Sequence, residues 1–427
     1  MAELMEHKES LNGYQLHLVP TRKFKTNALV IRFLAPLQRE TATNRALLPF
    51  VLQKGTKDYP SERVLRTKLD ELYGADLNID CAKKGENHII SVRITFVNEK
   101  FLNQEDSLMD ELLGLVQQIL FEPNLDGGSF KNEVVEKEKE TLRQKIESIK
   151  DQKMSYTNMR LIDEMCKGEP YETHVHGYID DLDKINGENL YQTYLSMLNE
   201  DKLDVYLLGD IDVEESKQVI EKYLTFDRTE KHQPTIVENS KEKKDYEEVT
   251  EAQKIQQGKL HMGFRTNTTF KDSNYFTMQV FNGLFGGFPH SKLFVNVREK
   301  HQLAYYASSR FESHKGLLLV FSGIAPEAYD KAKNIIIEQF EDMKKGNFTD
   351  KEVEETKKLT IHQLKETFDH PVGIVEVMYH QVLANRSLTP SEMFEGIKKV
   401  KKEDLITFAN QIQLDTIYFL TSEGDQK

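Results

Sequence analysis

The segment Ala46-Leu-Leu-Pro-Phe-Val-Leu-Gln-Lys-Gly-Thr56 is an apolar stretch that runs into a Lys-Gly-Thr tripeptide. Its apolar side chains predict a packed helix in the protein core. Pro49 would delete one helical N–H bond and crowd the preceding turn. The methyl group of Ala46, the pyrrolidine ring of Pro49 and the phenyl ring of Phe50 can neither bind a metal ion nor transfer a proton. The segment therefore predicts a structural helix without chemistry of its own.

The whole chain has the size and charge of a protein without a nucleic-acid partner. Its 427 residues suffice for two or three compact domains, and its net charge of −13 disfavours the basic face that phosphate binding needs. Cys81 and Cys166 lack metal-ligand spacing and indicate reduced thiols of a cytoplasmic protein. The acidic N-terminus does not resemble a signal peptide, and no apolar stretch of about 18 residues predicts a membrane span.

The same predicted elements recur in the same order in both halves, which indicates an internal duplication. The stretches 14–20 and 27–34 read as paired strands, because they are short, bounded by prolines and rich in β-branched residues. Strand candidates of the first half have counterparts in the second half: 27–34 and 259–265, 88–96 and 316–323, 203–208 and 414–420.

A long charged helix is the strongest internal match. Glu133-Val-Val-Glu136 opens one copy, and Glu352-Val-Glu-Glu355 opens the other. The second copy has a capping box between Thr349 and Glu352, in which hydroxyl and carboxylate satisfy free backbone N–H groups. This agreement supports two copies of one domain.

A charged stretch separates the two copies. Residues 229–252 are rich in Lys, Glu, Asp and Ser and are predicted to be a linker between domains 1–228 and 253–427. The expected fold class is α+β, with two homologous domains. Each is expected to be a mainly antiparallel sheet with helices covering one face.

The duplicated order of elements resembles the insulinase/pitrilysin-type metallopeptidases over nearly the whole chain. Family patterns are Phe-Lys-Gly-Thr, Gly-Thr-x-x-x-Leu, Val-Gly-Asp-hydrophobic-Asp, Gly-Gly-x-x-x-Ser-Arg-Leu-Phe and Leu-Arg-Glu-Lys-x-x-Leu-Ala-Tyr. The matching segments are Lys54-Gly-Thr56, 177–182, 208–212, 286–294 and 297–305. The resemblance implies the two-domain peptidase fold.

The resemblance breaks at the metal. The family pattern His-x-x-Glu-His, aligned on the Lys-Gly-Thr tripeptide, puts Ala46 and Phe50 at the ligand positions and Pro49 at the catalytic glutamate. The third ligand position falls near Lys145, within several residues, and a neighbouring carboxylate such as that of Glu138 makes no zinc site alone. The chain is therefore expected to carry no metal and no cofactor, and to be inactive as a peptidase by itself.

Replacement sites have little support in the sequence. His174-Val-His176 is a close histidine pair, but it lacks a carboxylate or cysteine partner and is interpreted as ordinary loop polarity. The glycines of 283–287 lack the lysine and hydroxyl of a phosphate loop and are interpreted as a tight turn between helices.

Two residues of the family's substrate-binding machinery are kept. The resemblance implies that Arg298 and Tyr305 donate hydrogen bonds to the backbone of a bound peptide. The competing interpretation is a surface arginine paired with Glu299 and a half-buried core tyrosine. Tyr306 follows directly, so the register of the tyrosine is open by one residue.

The resemblance implies a function shared between two subunits. A zinc-bearing homologous subunit would supply the metal, and this chain would be the non-catalytic subunit that helps to bind an extended peptide substrate. A narrower resemblance, to paired bacterial proteins associated with aminopentanol modification of elongation factor P, implies a role in that modification. The alternatives are a scaffold protein with no role in peptide turnover and an enzyme with an unrecognised site.

Overall fold

The computed structural model describes residues 5–102, 107–235 and 245–423. Their strands are β1 His7–Leu11, β2 Tyr14–Pro20, β3 Thr26–Pro36, β4 Asp76–Lys84, β5 Asn87–Val97, β6 Leu125–Asp126, β7 Ser129–Phe130, β8 Lys202–Gly209, β9 Glu247–Gln253, β10 Gly258–Arg265, β11 Ala304–Glu312, β12 Leu317–Ile324 and β13 Gln413–Ser422.

The α-helices of the same residues follow in chain order. They are α1 Arg39–Leu52, α2 Glu62–Glu71, α3 Leu108–Phe121, α4 Asn132–Asp151, α5 Lys153–Met165, α6 Ile179–Leu182, α7 Gly187–Glu200, α8 Val213–Tyr223, α9 Tyr275–Asn282, α10 Tyr329–Lys345, α11 Asp350–Thr367, α12 Pro371–Leu383, α13 Pro390–Lys399 and α14 Lys402–Ala409. Two π-helical segments, Gly283–Gly287 and Phe294–Lys300, follow α9.

Each of two compact units contains one large sheet, and five strands of each follow the same arrangement; unit 1 adds β1 at one edge and the small sheet β6–β7. The sheet of unit 1 has the order β1-β2-β8-β3-β5-β4, and that of unit 2 has the order β9-β13-β10-β12-β11. The pairs β2–β8 and β9–β13 are parallel and the other neighbours are antiparallel. The α+β duplication expected from the sequence is thus confirmed, while the expected pairing of 14–20 with 27–34 is wrong, because β8 lies between β2 and β3.

The two units exchange segments of the chain. Unit 1 comprises Met1–Glu147, Thr173–Thr235 and Asp369–Tyr379, whereas Ser148–Glu172 belongs to unit 2. The domains expected from the sequence, 1–228 and 253–427, are continuous stretches and so assign both exchanged segments to the other unit. The cause of the exchange is local: the apolar face of α5 packs on β10 and β13 of unit 2.

The central strands of both sheets are buried on both faces. In unit 1 the second face, with Arg32 and Tyr206, is covered by the segment 369–379 through Tyr379. In unit 1, α1, α3, α7 and the apolar side of the sheet form one continuous core. In unit 2, the core under α9, α10 and α14 lies on one face, and Leu161 and Met165 of α5 cover Leu319 and Tyr418 on the other. The expectation of a single covered face is therefore wrong for both units, because α5 was assigned to the first domain and the segment 369–379 to the second.

The late segment 369–379 completes unit 1 through a buried arginine. Arg32 on β3 is 2% exposed, and its guanidinium pairs with the carboxylate of Glu376. The same guanidinium lies 4.5 Å from the centroid of the Tyr379 ring. A charge buried this deeply is costly unless it is paired, so unit 1 depends on this segment.

The predicted linker is shorter than expected. Residues 236–244 of the stretch 229–252 lie outside the described residues, but Glu247–Gln253 form strand β9. This strand pairs in parallel with β13. The backbone hydrogen bonds of this pairing order a charged segment that has few apolar side chains to bury. The capping box between Thr349 and Glu352 is confirmed at the start of α11. In the described part of the chain, no helix has the length and apolarity to cross a membrane.

Candidate functional site

Helix α1 of unit 1 carries the three positions at which the resemblance places zinc chemistry. Ala46 is fully buried in the core, Pro49 is buried inside the helix, and Phe50 is half-buried at its edge. The packed core helix expected from the sequence is present. None of the three side chains offers a donor atom to a metal.

Lys145 of α4 faces the same place. Its Nζ atom lies 5.3 Å from the centroid of the Phe50 ring, a cation–π contact. The position predicted for the third ligand therefore does approach the position of the second ligand histidine, with an ammonium group in place of a carboxylate. A fixed positive charge here opposes the binding of a metal cation.

Two further side chains lie near Lys145, and sequence reasoning did not bring them together. Cys81 of β4 has its Sγ atom 3.7 Å from Nδ1 of His176. Burial, assisted by the charge of Lys145, lowers the pKa of His176 to about 4. Burial raises the pKa of the Cys81 thiol to about 11, although Lys145 opposes this shift. Both groups are neutral at neutral pH, and no sequence signal links residues 95 positions apart.

This donor set does not fit zinc. Structural and catalytic zinc sites use three or four ligands, and Cys81 with His176 supplies two beside a lysine. His174 turns instead to Tyr178, with ring centroids 4.8 Å apart. Within the described ranges, no group of three or more His, Cys, Asp or Glu side chains could hold a metal ion. No step of metal chemistry can be derived for this chain alone.

The retained Lys-Gly-Thr tripeptide has a structural role. Lys54 Nζ lies 2.8 Å from a carboxylate oxygen of Glu62 and 3.5 Å from one of Glu138, whose side chain is 1% exposed. Gly55 has a φ of +143°, and a Cβ atom there would lie 2.6 Å from the carbonyl oxygen of Tyr59. Glu138 is thus ion-paired with Lys54, although neither of its carboxylate oxygens has a hydrogen-bond partner in the described part of the chain.

Gln53, just before the tripeptide, makes an unexpected contact with the sheet. Its Nε2 atom donates to the carbonyl oxygen of Ile79 at 2.9 Å, and its Oε1 atom accepts from the Ile79 N–H at 3.3 Å. Ile79 lies on β4, the edge strand of the unit 1 sheet. Sequence reasoning missed this residue, although the family pattern has phenylalanine at the position of Gln53.

Arg298 and Tyr305 lie in unit 2 on successive elements. Arg298 belongs to the π-helical segment Phe294–Lys300, and its guanidinium carbon lies 4.5 Å from the centroid of the Phe294 ring. Tyr305 lies on β11, the edge strand of its sheet, and is 70% exposed. Among the described residues, neither side chain makes a hydrogen bond or ion pair, so the pairing of Arg298 with Glu299 is not seen.

The two neighbouring tyrosines differ in their surroundings. The hydroxyl group of Tyr306 is buried without a hydrogen-bond partner in the described part of the chain, and burial raises its pKa to about 12. A register irregularity in the β11–β12 ladder falls between Ala304 and Tyr306. Of the two residues, Tyr305 is therefore the one that presents its hydroxyl group to solvent.

The glycine-rich stretch before Arg298 is helical, and the expected tight turn is wrong. Gly283–Gly287 form a π-helical segment that continues α9. A Cβ atom on Gly283 would lie 2.7 Å from Cγ2 of Thr356, and one on Gly286 would lie 2.5 Å from Oγ of Ser309. The glycines let this segment approach α11 and β11 closely.

Comparisons with known proteins agree with this geometry. The profile of the family described as "Peptidase M16 inactive domain" matches residues 184–360. The chain is 45% identical over 422 residues to "Probable inactive metalloprotease YmfF" of Bacillus subtilis (strain 168), covering 98% of each chain.

Two solved structures have the same fold. A conserved protein from Enterococcus faecalis V583 is 32% identical and has a TM-score of 0.92, with 99% of this chain and all of that chain covered. A peptidase M16 inactive domain from Pseudomonas fluorescens has a TM-score of 0.81 at 16% identity, with 99% and 100% covered.

Proposed function

Because the chain belongs to the M16 peptidase family as an inactive member, we propose that it is the non-catalytic subunit of a heteromeric zinc peptidase. The observation that carries this proposal is the contrast between its two units. In unit 1, the positions that the resemblance assigns to metal ligands carry Ala46, Phe50 and, within several residues, Lys145, and the last two are in contact. In unit 2, Tyr305 is exposed and has no partner among the described residues.

The proposed contribution of this chain is hydrogen-bond donation to a peptide. When water attacks a peptide carbonyl, negative charge develops on the oxygen atom. The phenol of Tyr305 and the guanidinium of Arg298 are donors that can stabilise this charge without supplying a proton-transfer base. The zinc ion, its ligands and the base that activates water would all come from a homologous subunit.

The proposed substrate is an extended peptide bound along a sheet edge. Among the described residues, β4 and β11 are each one of the two outer strands of their sheets, and they occupy equivalent positions. An outer strand can take up a peptide through backbone hydrogen bonds, with alternate side chains read by the surroundings. This mode needs no metal and no catalytic residue in the subunit that holds the peptide.

We also propose that the assembled peptidase is cytoplasmic and serves the aminopentanol modification of elongation factor P. The support is the resemblance of the whole chain to paired bacterial proteins associated with that modification. The intact mass of elongation factor P from a strain without this chain tests the link. An unchanged mass would remove it and leave the subunit proposal untouched.

The subunit proposal is tested by affinity purification of the tagged chain from its native cell, followed by peptidase assays. We expect a zinc-bearing homologue to co-purify and peptide cleavage to require both chains. Tyr305→Phe in the reconstituted pair should lower turnover without loss of assembly. Recovery of the chain without any zinc-bearing relative, or full cleavage by the relative alone, would instead favour the scaffold function.

A further inference from the structure

At Ile79, the outer edge of β4 is hydrogen-bonded to the side chain of Gln53 in the way that a neighbouring strand would bond to it. Both the N–H and the C=O group of Ile79 bond to the Gln53 carboxamide, at 3.3 and 2.9 Å. These two groups therefore turn away from β5, the partner strand on the inner side. A residue of an added antiparallel strand would offer the same pair, one donor and one acceptor, to Ile79.

The carboxamide is held in place by the helix that carries it. Nε2 of Gln53 also donates to the carbonyl oxygen of Pro49, one helical turn earlier, at 2.7 Å. Because Nε2 carries two hydrogens, it can make both bonds at once, and Oε1 remains to accept from Ile79. The contact thus uses both hydrogens and the oxygen of this amide.

The contact depends on the residue type at position 53. In the family pattern that the segment resembles, phenylalanine stands where this chain has Gln53. A phenyl ring offers neither a strong donor nor an acceptor to a strand edge. With phenylalanine at position 53, the groups of Ile79 would be left to water or to a bound peptide.

We propose that Gln53 holds the outer edge of β4 closed until an extended peptide, the ligand proposed above for this edge, displaces its carboxamide. The ligand is defined by backbone chemistry, since a strand is recognised by its N–H and C=O groups. Successive outward-facing residues of β4 lie two apart on either side of Ile79. The loop 173–176 also contacts β4, but its hydrogen bonds go to the Cys81 thiol and the Lys83 ammonium group, which are side chains and not backbone groups of the strand.

This inference rests on the proposed function, which places an extended peptide at the outer edge of β4. The peptide gains a row of backbone bonds and must replace the two that Gln53 makes. Because a neutral hydrogen bond contributes only modestly after exchange with water, removing the carboxamide should raise the affinity on the order of tenfold, or about 1.4 kcal/mol. Gln53 would therefore set how readily this subunit accepts peptide.

The test uses the full chain, a fluorescein-labelled Thr-Val-Thr-Val-Thr-Val peptide, and the same peptide N-methylated at alternate residues. Gln53→Met keeps the side-chain length without the amide, and Gln53→Phe restores the family residue. Gln144→Met, on the exposed side of α4, is the matched control. Fluorescence anisotropy gives the affinities, and hydrogen exchange reports the protection of the Ile79 amide.

We expect Gln53→Met and Gln53→Phe to bind the unmodified peptide about tenfold more tightly than the wild type, while Gln144→Met matches the wild type. The Ile79 amide should lose protection in both Gln53 variants and regain it with peptide. Equal affinity of folded Gln53 variants and wild type, or equal binding of the N-methylated peptide, would overturn the inference. Because the isolated chain is used, a failure to find a zinc-bearing partner would refute the subunit proposal alone.

Discussion

The ammonium group of Lys145 lies over the ring of Phe50, with Nζ 5.3 Å from the ring centroid. This contact joins α1 and α4 at the place where the family resemblance puts a metal. The aromatic ring and the cation attract each other. If the resemblance places the metal correctly, this chain lacks the ligands there and also carries a positive charge that would repel the ion.

Rebuilding the metal site should require the removal of this charge. We expect Ala46→His/Pro49→Glu/Phe50→His to bind no stoichiometric zinc, since Lys145 still repels the cation and the third ligand is missing. Adding Lys145→Glu supplies a carboxylate and removes the repulsion, so this fourfold variant should retain zinc. Elemental analysis after dialysis against zinc compares the two variants with the wild type, which is expected to bind none. Stoichiometric zinc in the threefold variant would show that Lys145 does not control the site.

Two substitutions at Arg298 should show how much of its effect on kcat of the assembled enzyme comes from its charge and how much from the shape of its guanidinium group. Loss of a donor aimed at a developing oxyanion costs on the order of 10²–10³ in kcat. Arg298→Ala is expected to cause a loss of that order, and Arg298→Lys to recover part of it, since lysine keeps the charge but not the planar fork. Steady-state kinetics at matched folded concentration measure both variants. Melting temperatures that fall while turnover per folded molecule stays constant would assign Arg298 a structural role.

The buried pair Arg45–Asp201 should be a major determinant of unit 1 stability. Arg45 donates two hydrogen bonds to the Asp201 carboxylate, at 2.7 and 3.2 Å, and both residues are buried. Asp201→Ala leaves the guanidinium without its counter-ion and should destabilise the protein by about 3–5 kcal/mol. Asp183→Ala, which removes a 79% exposed partner of Arg143, is the control and should cost about 0–1 kcal/mol. Urea denaturation at pH 7 measures both, and similar costs would contradict the prediction.

Acid should weaken the protein partly through His261. Its ring is fully buried on β10 without a hydrogen-bond partner in the described ranges, and burial lowers its pKa from 6.5 to about 3. The His261 side chain therefore binds a proton near pH 6.5 in the unfolded chain but only near pH 3 in the folded chain. Stability from this group is complete above pH 6.5 and falls as the pH drops, by about 2 kcal/mol at pH 5. His261→Phe should lose less stability than the wild type between pH 7 and pH 5 in urea titrations. Parallel losses would exclude His261 as the source.

Much of the fold could be predicted from the sequence because it rests on local signals. Strand candidates, the capping box at Thr349 and the duplicated order all follow from periodicity and helix-end chemistry. The approach of Lys145 to Phe50 was predicted only within several residues, because it depended on counting positions across an insertion. Which of Tyr305 and Tyr306 is exposed could not be predicted, because it depends on the register irregularity in the β11–β12 ladder, and the sequence gives no sign of that irregularity.

Contacts between distant residues could not be predicted. β8 lies between β2 and β3. The residue pattern of a strand shows that it belongs to a sheet but not which strand is its neighbour, so this order could not be predicted. Cys81 and His176 meet through the packing of a loop against an edge strand. Gln53 looks like an ordinary polar helix end, and its bonds to Ile79 appear only when the strand order is known.

The exchange of segments also governs when the first repeat can be finished during biosynthesis. Glu376, the partner of buried Arg32, is 344 residues further along the chain. At about 5–20 residues per second, a ribosome needs on the order of twenty seconds to a minute to add that many. Until then the nascent first repeat holds an arginine without its counter-ion. Its final packing is thereby deferred until most of the second repeat has been made.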